Sequence, residues 1–362
     1  MIYRLVLENL KHRPVRTFLS AIAIGIQVTM ILTLVGLSHG MLQDLAQRSQ
    51  GSGGDIMVRP PDSSLLGNAG TMPEGVVRVV RTIPHVAKAT GTLIQPVTAL
   101  EFITGIHPDE FNAISGGFQY LQGGPLKRPD DILIDDVESR SKSARAGDTI
   151  ELGGRKWHVA GVVASGKLSR IFADIATLQY LYPPSGNIST IYVKADSPGN
   201  IDAMSGALEQ RLDRYKIYKM QELTSLYSVD NIPPLRSFIA VVIAIATIVG
   251  FLVVFLSMYT AVLERTREIG VLKALGASPG YILGTLMRET VLLAICGTIA
   301  GILMTYGTKW LMDTFAPTMP TAIVEDWWPI AGGIALVGAL IGAVYPGLKA
   351  ARQDPIEALA YD

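Results

Sequence analysis

The chain is short of almost everything a soluble enzyme uses. Among 362 residues there is one cysteine, Cys296, so no disulfide can staple a domain from within. Charged residues make up only 17% and balance to a formal net charge of zero, which argues against a nucleic-acid partner, since that would call for a basic patch. The five histidines, His12, His39, His85, His107 and His158, stand at no metal-ligand spacing, and no G-x-S-x-G elbow occurs. Gly161-Val-Val-Ala-Ser-Gly166-Lys167 follows the opening of a phosphate-binding loop, but Leu168 stands where a Ser or Thr would hold magnesium. A turn at a strand end explains those glycines. Asp130-Asp131 and Asp135-Asp136 flank a strand and read as solvated edge charges. No metal site, bound cofactor or catalytic centre is expected in this chain.

What it has instead is apolar length. Hydrophobic residues make up 49%, and the mean hydropathy is +0.34. Four stretches carry no Asp, Glu, Lys, Arg or His: Phe18 to Ser38, Ser237 to Leu263, Thr290 to Thr308 and Trp327 to Leu348. Each can cross a bilayer core, since about 20 helical residues span roughly 30 Å. Proton- or ion-driven transport usually needs ionisable residues at mid-membrane, and these spans have none. Gln27 is the strongly polar side chain of the first span; it can bond within the bundle or across a dimer. Gly297-x-x-x-Gly301 and Gly338-x-x-x-Gly342 are small-residue stripes, read as packing the third and fourth spans against each other, with a subunit interface as the alternative.

Orientation follows from the basic residues. Arg4, Lys11, Arg13 and Arg16 precede the first span, Arg265, Arg267, Lys273 and Arg288 fill the second connection, and Lys349 and Arg352 follow the fourth. The connection between the third and fourth has only Lys309 against Asp313, Glu325 and Asp326. The positive-inside rule then places both termini in the cytoplasm and the long polar region outside. Trp327 and Trp328 mark the outer interface of the fourth span.

The expected fold is an α-helical membrane protein of four spans with a large α+β extracytoplasmic domain between the first and second. Residues 1–40 form an amphipathic start and the first span, residues 41–235 the outer domain, and residues 236–362 the other spans and a tail. Strands are expected at Asp55 to Arg59, Val86 to Ile106, Thr190 to Lys194 and Tyr215 to Met220, with a helix over Asn200 to Leu212. Residues 111–184, with Ile132 to Ile134, Thr149 to Leu152 and Trp157 to Val163, read as a mostly β lobe inserted into an α/β core. Gly51-Ser-Gly-Gly54 and Pro233-Pro234 read as attachments to the spans, the first the more flexible.

The sharpest local pattern is Glu264-Arg-Thr-Arg-Glu-Ile-Gly-Val-Leu-Lys-Ala-Leu-Gly276. Ile269, Leu272 and Leu275 recur at helical spacing opposite charges of both signs, which favours a protein partner over anionic lipid. Gly276 is placed to end this helix, Ser278 to cap the next and Pro279 to open it.

With Ala277-Ser-Pro-Gly-Tyr-Ile282 after it, this run resembles the coupling-helix signature of FtsX-type ABC transporter permeases, the MacB, Lol and related mechanotransmission exporters. The tail from Pro346 to Leu359 and the opening from Asn9 to Ser20 are similar to the same family, as is the stretch from Asp131 to Val163. The resemblance implies a permease subunit in the bacterial cytoplasmic membrane that works as a homo- or heterodimer on a separate dimeric ATPase. ATP and Mg²⁺ would be bound by that partner, since no ATPase is fused here. An adaptor outside the membrane and membrane lipid complete the implied partners. Glu264, Arg265, Arg267, Glu268 and Lys273 are the implied ATPase contacts on a coupling helix over residues 264–276. The implied work is export or extraction of a lipid, lipoprotein or other amphiphile. The competing expectation is an FtsX-like signalling subunit that activates a cell-wall hydrolase; its kind resembles smaller, single-lobed outer domains. Ile24, Val28, Ile31 and Leu32 with Ile243, Val249, Leu252 and Phe255 could line a lateral opening for an acylated ligand, or be ordinary packing and lipid-facing residues.

Overall fold

The computed structural model describes residues 14–64, 70–98, 101–183 and 185–353. The expected lateral-helix start at Asn9 to Arg13 and the terminal Asp354-Pro355-x-Glu357 cap lie outside the described residues. The chain divides into two compact units: Met41–Asn231 with Phe315–Pro320, and a helical unit of the remaining residues.

The first helix, α1 (Pro14–Gln50), has 37 residues and so runs about 55 Å. Its residues from Met41 onward belong to the α+β unit. The Gly51–Gly54 run that ends it is a tight fit and not a flexible tether. A Cβ on Gly51 would stand 1.8 Å from the Gly166 carbonyl oxygen, and one on Gly53, at φ +76°, 2.4 Å from that of Ile114. Only glycine permits this backbone approach, and only glycine takes that φ without strain.

The α+β unit is built on a 10-stranded sheet. In chain order its elements are β1 (Ile56–Arg59), β2 (Met72–Pro73), α2 (Gly75–Val80), β3 (Val86–Pro96), β4 (Phe102–Ile106), α3 (Pro108–Ser115), β5 (Tyr120–Gly123), β6 (Asp131–Asp135) and α4 (Asp136–Lys142). Then come β7 (Thr149–Leu152), β8 (Arg155–Val163), β9 (Ile171–Asp174), α5 (Ile175–Leu181), β10 (Asn187–Ile188), β11 (Thr190–Ala195), α6 (Ile201–Arg211), β12 (Lys216–Lys219) and α7 (Met220–Leu226). The order across the sheet is β12-β1-β11-β3-β4-β9-β6-β8-β5, with β7 beside β8 and β2 paired to β10 apart from it.

Residues 111–184 were expected as a mostly β lobe inserted into an α/β core; their strands, β5 to β9, lie together at one end of the sheet and continue it. The parallel pairing Ile103↔Ile171 to Ile106↔Asp174 joins β4 to β9. A single apolar cluster runs from Ile56 and Val58 through Ile103 and Ile134 to Val162 and Val193. Short helices punctuate this region for local reasons. Asp135 caps α4 by accepting from the Glu138 N–H at 2.7 Å, and Asp174 caps α5 at Ala176 and Thr177. Asp131 and Asp135 are therefore buried, not solvated edge charges. Asp131 accepts from the Lys127 and Arg128 N–H groups and from His158 Nδ1. Burial pulls its pKa up, but these bonds outweigh that and hold it below the usual carboxylate range.

The helical unit contains α8 (Pro233–Glu264), α9 (Thr266–Ala274), α10 (Pro279–Phe315) and α11 (Trp327–Arg352) besides the start of α1. Among the described residues, four helices, α1, α8, α10 and α11, are long and apolar enough to cross a membrane. The glycine stripes pack on different partners from those expected. Gly297 and Gly301 of α10 seat on α1, where a Cβ would come within 2.6 Å of Ile24 Cβ and 2.7 Å of the Gly25 oxygen. Gly342 of α11 seats on α8, with a Cβ 2.9 Å from the Phe251 oxygen. Contact between α10 and α11 runs instead through Gly332 against Thr298 and Gly347 against Leu283. Gln27 turns inward against Gly250 of α8, and its Nε2 finds no hydrogen-bond partner there.

Candidate ATPase-coupling site

The connection between α8 and α10 folds as its residues dictate. Arg265 ends α8, and Thr266 opens α9 with its hydroxyl donating back to the Val262 and Leu263 carbonyls. Gly276 sits at φ +95°, with its N–H on the Lys273 carbonyl and the Ala277 N–H on that of Leu272. That pair of bonds is a Schellman motif, which satisfies carbonyls a helix end would otherwise leave bare. Ser278 Oγ then accepts from the Tyr281 N–H at 3.2 Å, and Pro279 opens α10.

The five charged residues expected at this site do not form one surface. Glu264, Arg267 and Glu268 are exposed. Arg265 is turned into the bundle, where its Nη1 meets Glu289 Oε2 of α10 at 3.3 Å with the two side chains 9% and 3% exposed. Desolvated so far, Arg265 anchors α9 rather than presenting charge to a partner. Lys273 is half-buried and donates to the Ala351 and Gln353 carbonyls at the end of α11, whose negative dipole end favours a cation. Ile269 packs into the bundle core, but Leu272 and Leu275 do not: they are 39% and 81% exposed. The available face of α9 is thus Arg267 and Glu268 beside Val271, Leu272 and Leu275. Glu289 was missed because it heads the third apolar stretch, where it reads as a flanking charge.

The apolar residues considered for a lateral opening separate as well. Ile24, Val28 and Ile31 are core residues of the bundle, covered by α10, and Ile243 packs at its margin. Val249 and Leu252 face outward, each 53% exposed. The six do not line a common surface. In the phosphate-loop look-alike, Lys167 Nζ donates to the Ser115 carbonyl, and β9, not a helix, follows.

Two family models cover this architecture. The MacB-like periplasmic core domain matches residues 17–211, and the FtsX-like permease C-terminal domain matches residues 240–355. The chain belongs to the FtsX- and MacB-like family of ABC transporter permeases. This permease is 25% identical over 99% of its length to an uncharacterised ABC transporter permease, YknZ, of Bacillus subtilis, of which it covers 98%. It is 23% identical to the macrolide export ATP-binding/permease protein MacB of Escherichia coli over 99% of its own length, spanning 60% of that protein. The solved extracellular domain of a YknZ transporter from Gram-positive bacteria aligns with 46% of this permease at 14% identity and a TM-score of 0.34. The fold class is the one read from the sequence: four membrane helices with a periplasmic-type α+β domain between the first two.

Proposed function

We propose that this permease converts ATP hydrolysis by a separate ATPase subunit into motion of its α+β domain, driving export or extraction of a lipid, lipoprotein or other amphiphile. The observation that carries the reading is the exposed face of α9. Leu272 and Leu275 beside Arg267 and Glu268 form an apolar patch rimmed by both signs of charge, on a short helix between two membrane helices. Protein interfaces have this composition, and lipid headgroups do not call for it. The bundle supports a lever over a pore, because its centre is filled by Ile24, Val28, Ala335 and Ala339. In α1, one unbroken helix passes into the α+β domain and can carry force to it. The positive flanks of the spans support cytoplasmic termini in a bacterial inner membrane, with the α+β domain outside. ATP and Mg²⁺ belong to the partner, and a second permease copy completes the complex.

The test is the double reversal Arg267→Glu with Glu268→Lys in cells that co-express the cognate ATPase. The expected result is normal membrane insertion with loss of ATPase co-purification. A variant that retains the ATPase at wild-type stoichiometry overturns the assignment.

A further inference from the structure

The last turns of α1 carry Asp44 and Arg48, paired at 2.9 Å. Facing them from the residue just before β9 is Arg170, whose Nη2 lies 3.1 Å from Asp44 Oδ2 and 3.5 Å from the Thr318 carbonyl oxygen. Its Nη1 lies 3.6 Å from Asp135 Oδ2 at the end of β6. The Arg170 backbone is held too, since its carbonyl accepts from the Asp135 N–H at 2.8 Å. Arg170 is therefore fixed to the sheet by its main chain while its guanidinium reaches the helix. The surroundings demand such a cation. Asp135 is fully buried, and its Oδ2 has no hydrogen-bond partner, so the Arg170 charge is what compensates it. Gly51, just past the end of α1, and Gly166, shortly before Arg170, approach backbone to backbone, which brings the end of α1 against the same connection between β8 and β9.

We propose that Arg170 is a positioning residue, a clasp that locks the end of α1 to the β6–β9 strand pair and to the Phe315–Pro320 connection. Rotation of α1 then turns the sheet as one body instead of bending the joint. A planar guanidinium is suited to this, because it serves two carboxylates in divergent directions and keeps its charge when desolvated. The purpose of the clasp rests on the lever reading above; its geometry does not.

The experiment uses the full-length permease in lipid nanodiscs, in a Cys296→Ala background with spin labels at Gln47→Cys and Lys156→Cys. Electron-electron resonance then reports the distance from α1 to the sheet. The expected result is one narrow distance peak for the parent protein. That peak is lost to a broad or split distribution in Arg170→Gln and in Asp44→Asn, and Arg170→Lys falls between. Asp44→Asn is nearly isosteric and decides the matter where Arg170→Gln does not fold. A parent-like narrow peak in Asp44→Asn, and in Arg170→Gln where that variant folds, overturns the clasp. The readout needs neither ATP nor cargo, so failure of the lever reading leaves it standing, and its own failure leaves the lever reading untouched.

Discussion

Removing Glu289 should destabilise this permease far more than removing any exposed charge of α9. At 3.3 Å, an effective dielectric of about 20 gives an attraction of ~5 kcal/mol between Arg265 and Glu289. Desolvating both charges offsets most of that, so the pair as a whole contributes little beside a well-packed apolar replacement. Breaking it is different. Glu289→Ala takes the Glu289 carboxylate away from the buried Arg265 guanidinium, at a cost of about 3–5 kcal/mol, and Arg265→Ala does the converse. Arg265→Leu combined with Glu289→Leu should cost far less than the two single losses added. Arg267→Glu, on the exposed face, should fall within about 0.5 kcal/mol of the parent. The assay is the apparent unfolding temperature of the purified permease in detergent at one heating rate, since unfolding of such a protein is a kinetic event. A Glu289→Ala variant that unfolds with the parent, or single losses that add in the double variant, would refute the anchoring role. Arg265 would then return to the pool of ATPase contacts.

Three further outcomes are expected. Gly301→Ala should cost about 1–3 kcal/mol by forcing α10 off α1, whereas Gly307→Ala, with nothing within 4 Å of its added carbon, should be silent; equal unfolding temperatures would contradict the packing. Burial pushes the Asp135 carboxyl from 3.8 up to about 6, against the pull of the hydrogen bond it accepts from the Glu138 N–H and of the nearby Arg170 charge. The folded state thus binds this proton more tightly than the unfolded one, so the group's destabilisation is absent below about pH 4, grows as pH rises, and is complete above about pH 6. Asp135→Asn, which keeps the cap, should therefore gain on the parent by about 1.5 kcal/mol between about pH 5 and pH 7.5, out of a full difference of ~3 kcal/mol at high pH; a difference that does not change with pH would contradict it. Leu275→Asp should abolish ATPase co-purification without changing the unfolding temperature, because the side chain is largely exposed; retained binding would remove the apolar half of the docking face.

What the sequence disclosed was local. The spans follow from uninterrupted apolar length, and the Gly276, Ser278 and Pro279 punctuation predicted the Schellman end and the cap where they occur. What it hid was pairing at a distance. Nothing near Ile103 announces that β4 will lie parallel to β9, the pairing through which the strands of residues 111–184 join the rest of the sheet. The glycines of residues 51–54 look like a flexible linker, because composition does not distinguish a glycine needed for freedom from one needed for close approach. The same ambiguity sent both glycine stripes to the wrong partner helix. At the candidate site, the mixed charges were legible but their directions were not. Arg265 and Arg267 differ only in which side of the chain they occupy, and the partner that fixes Arg265 lies on another helix.

The most direct test of the account is the distance between spin labels at Gln122→Cys in the two copies of a permease dimer. It is measured in complex with the ATPase, first free of nucleotide and then with ATP trapped. The account predicts a shifted distance on trapping that disappears in the Arg267→Glu, Glu268→Lys variant. Identical distances in both states, in a complex that hydrolyses ATP, would contradict it.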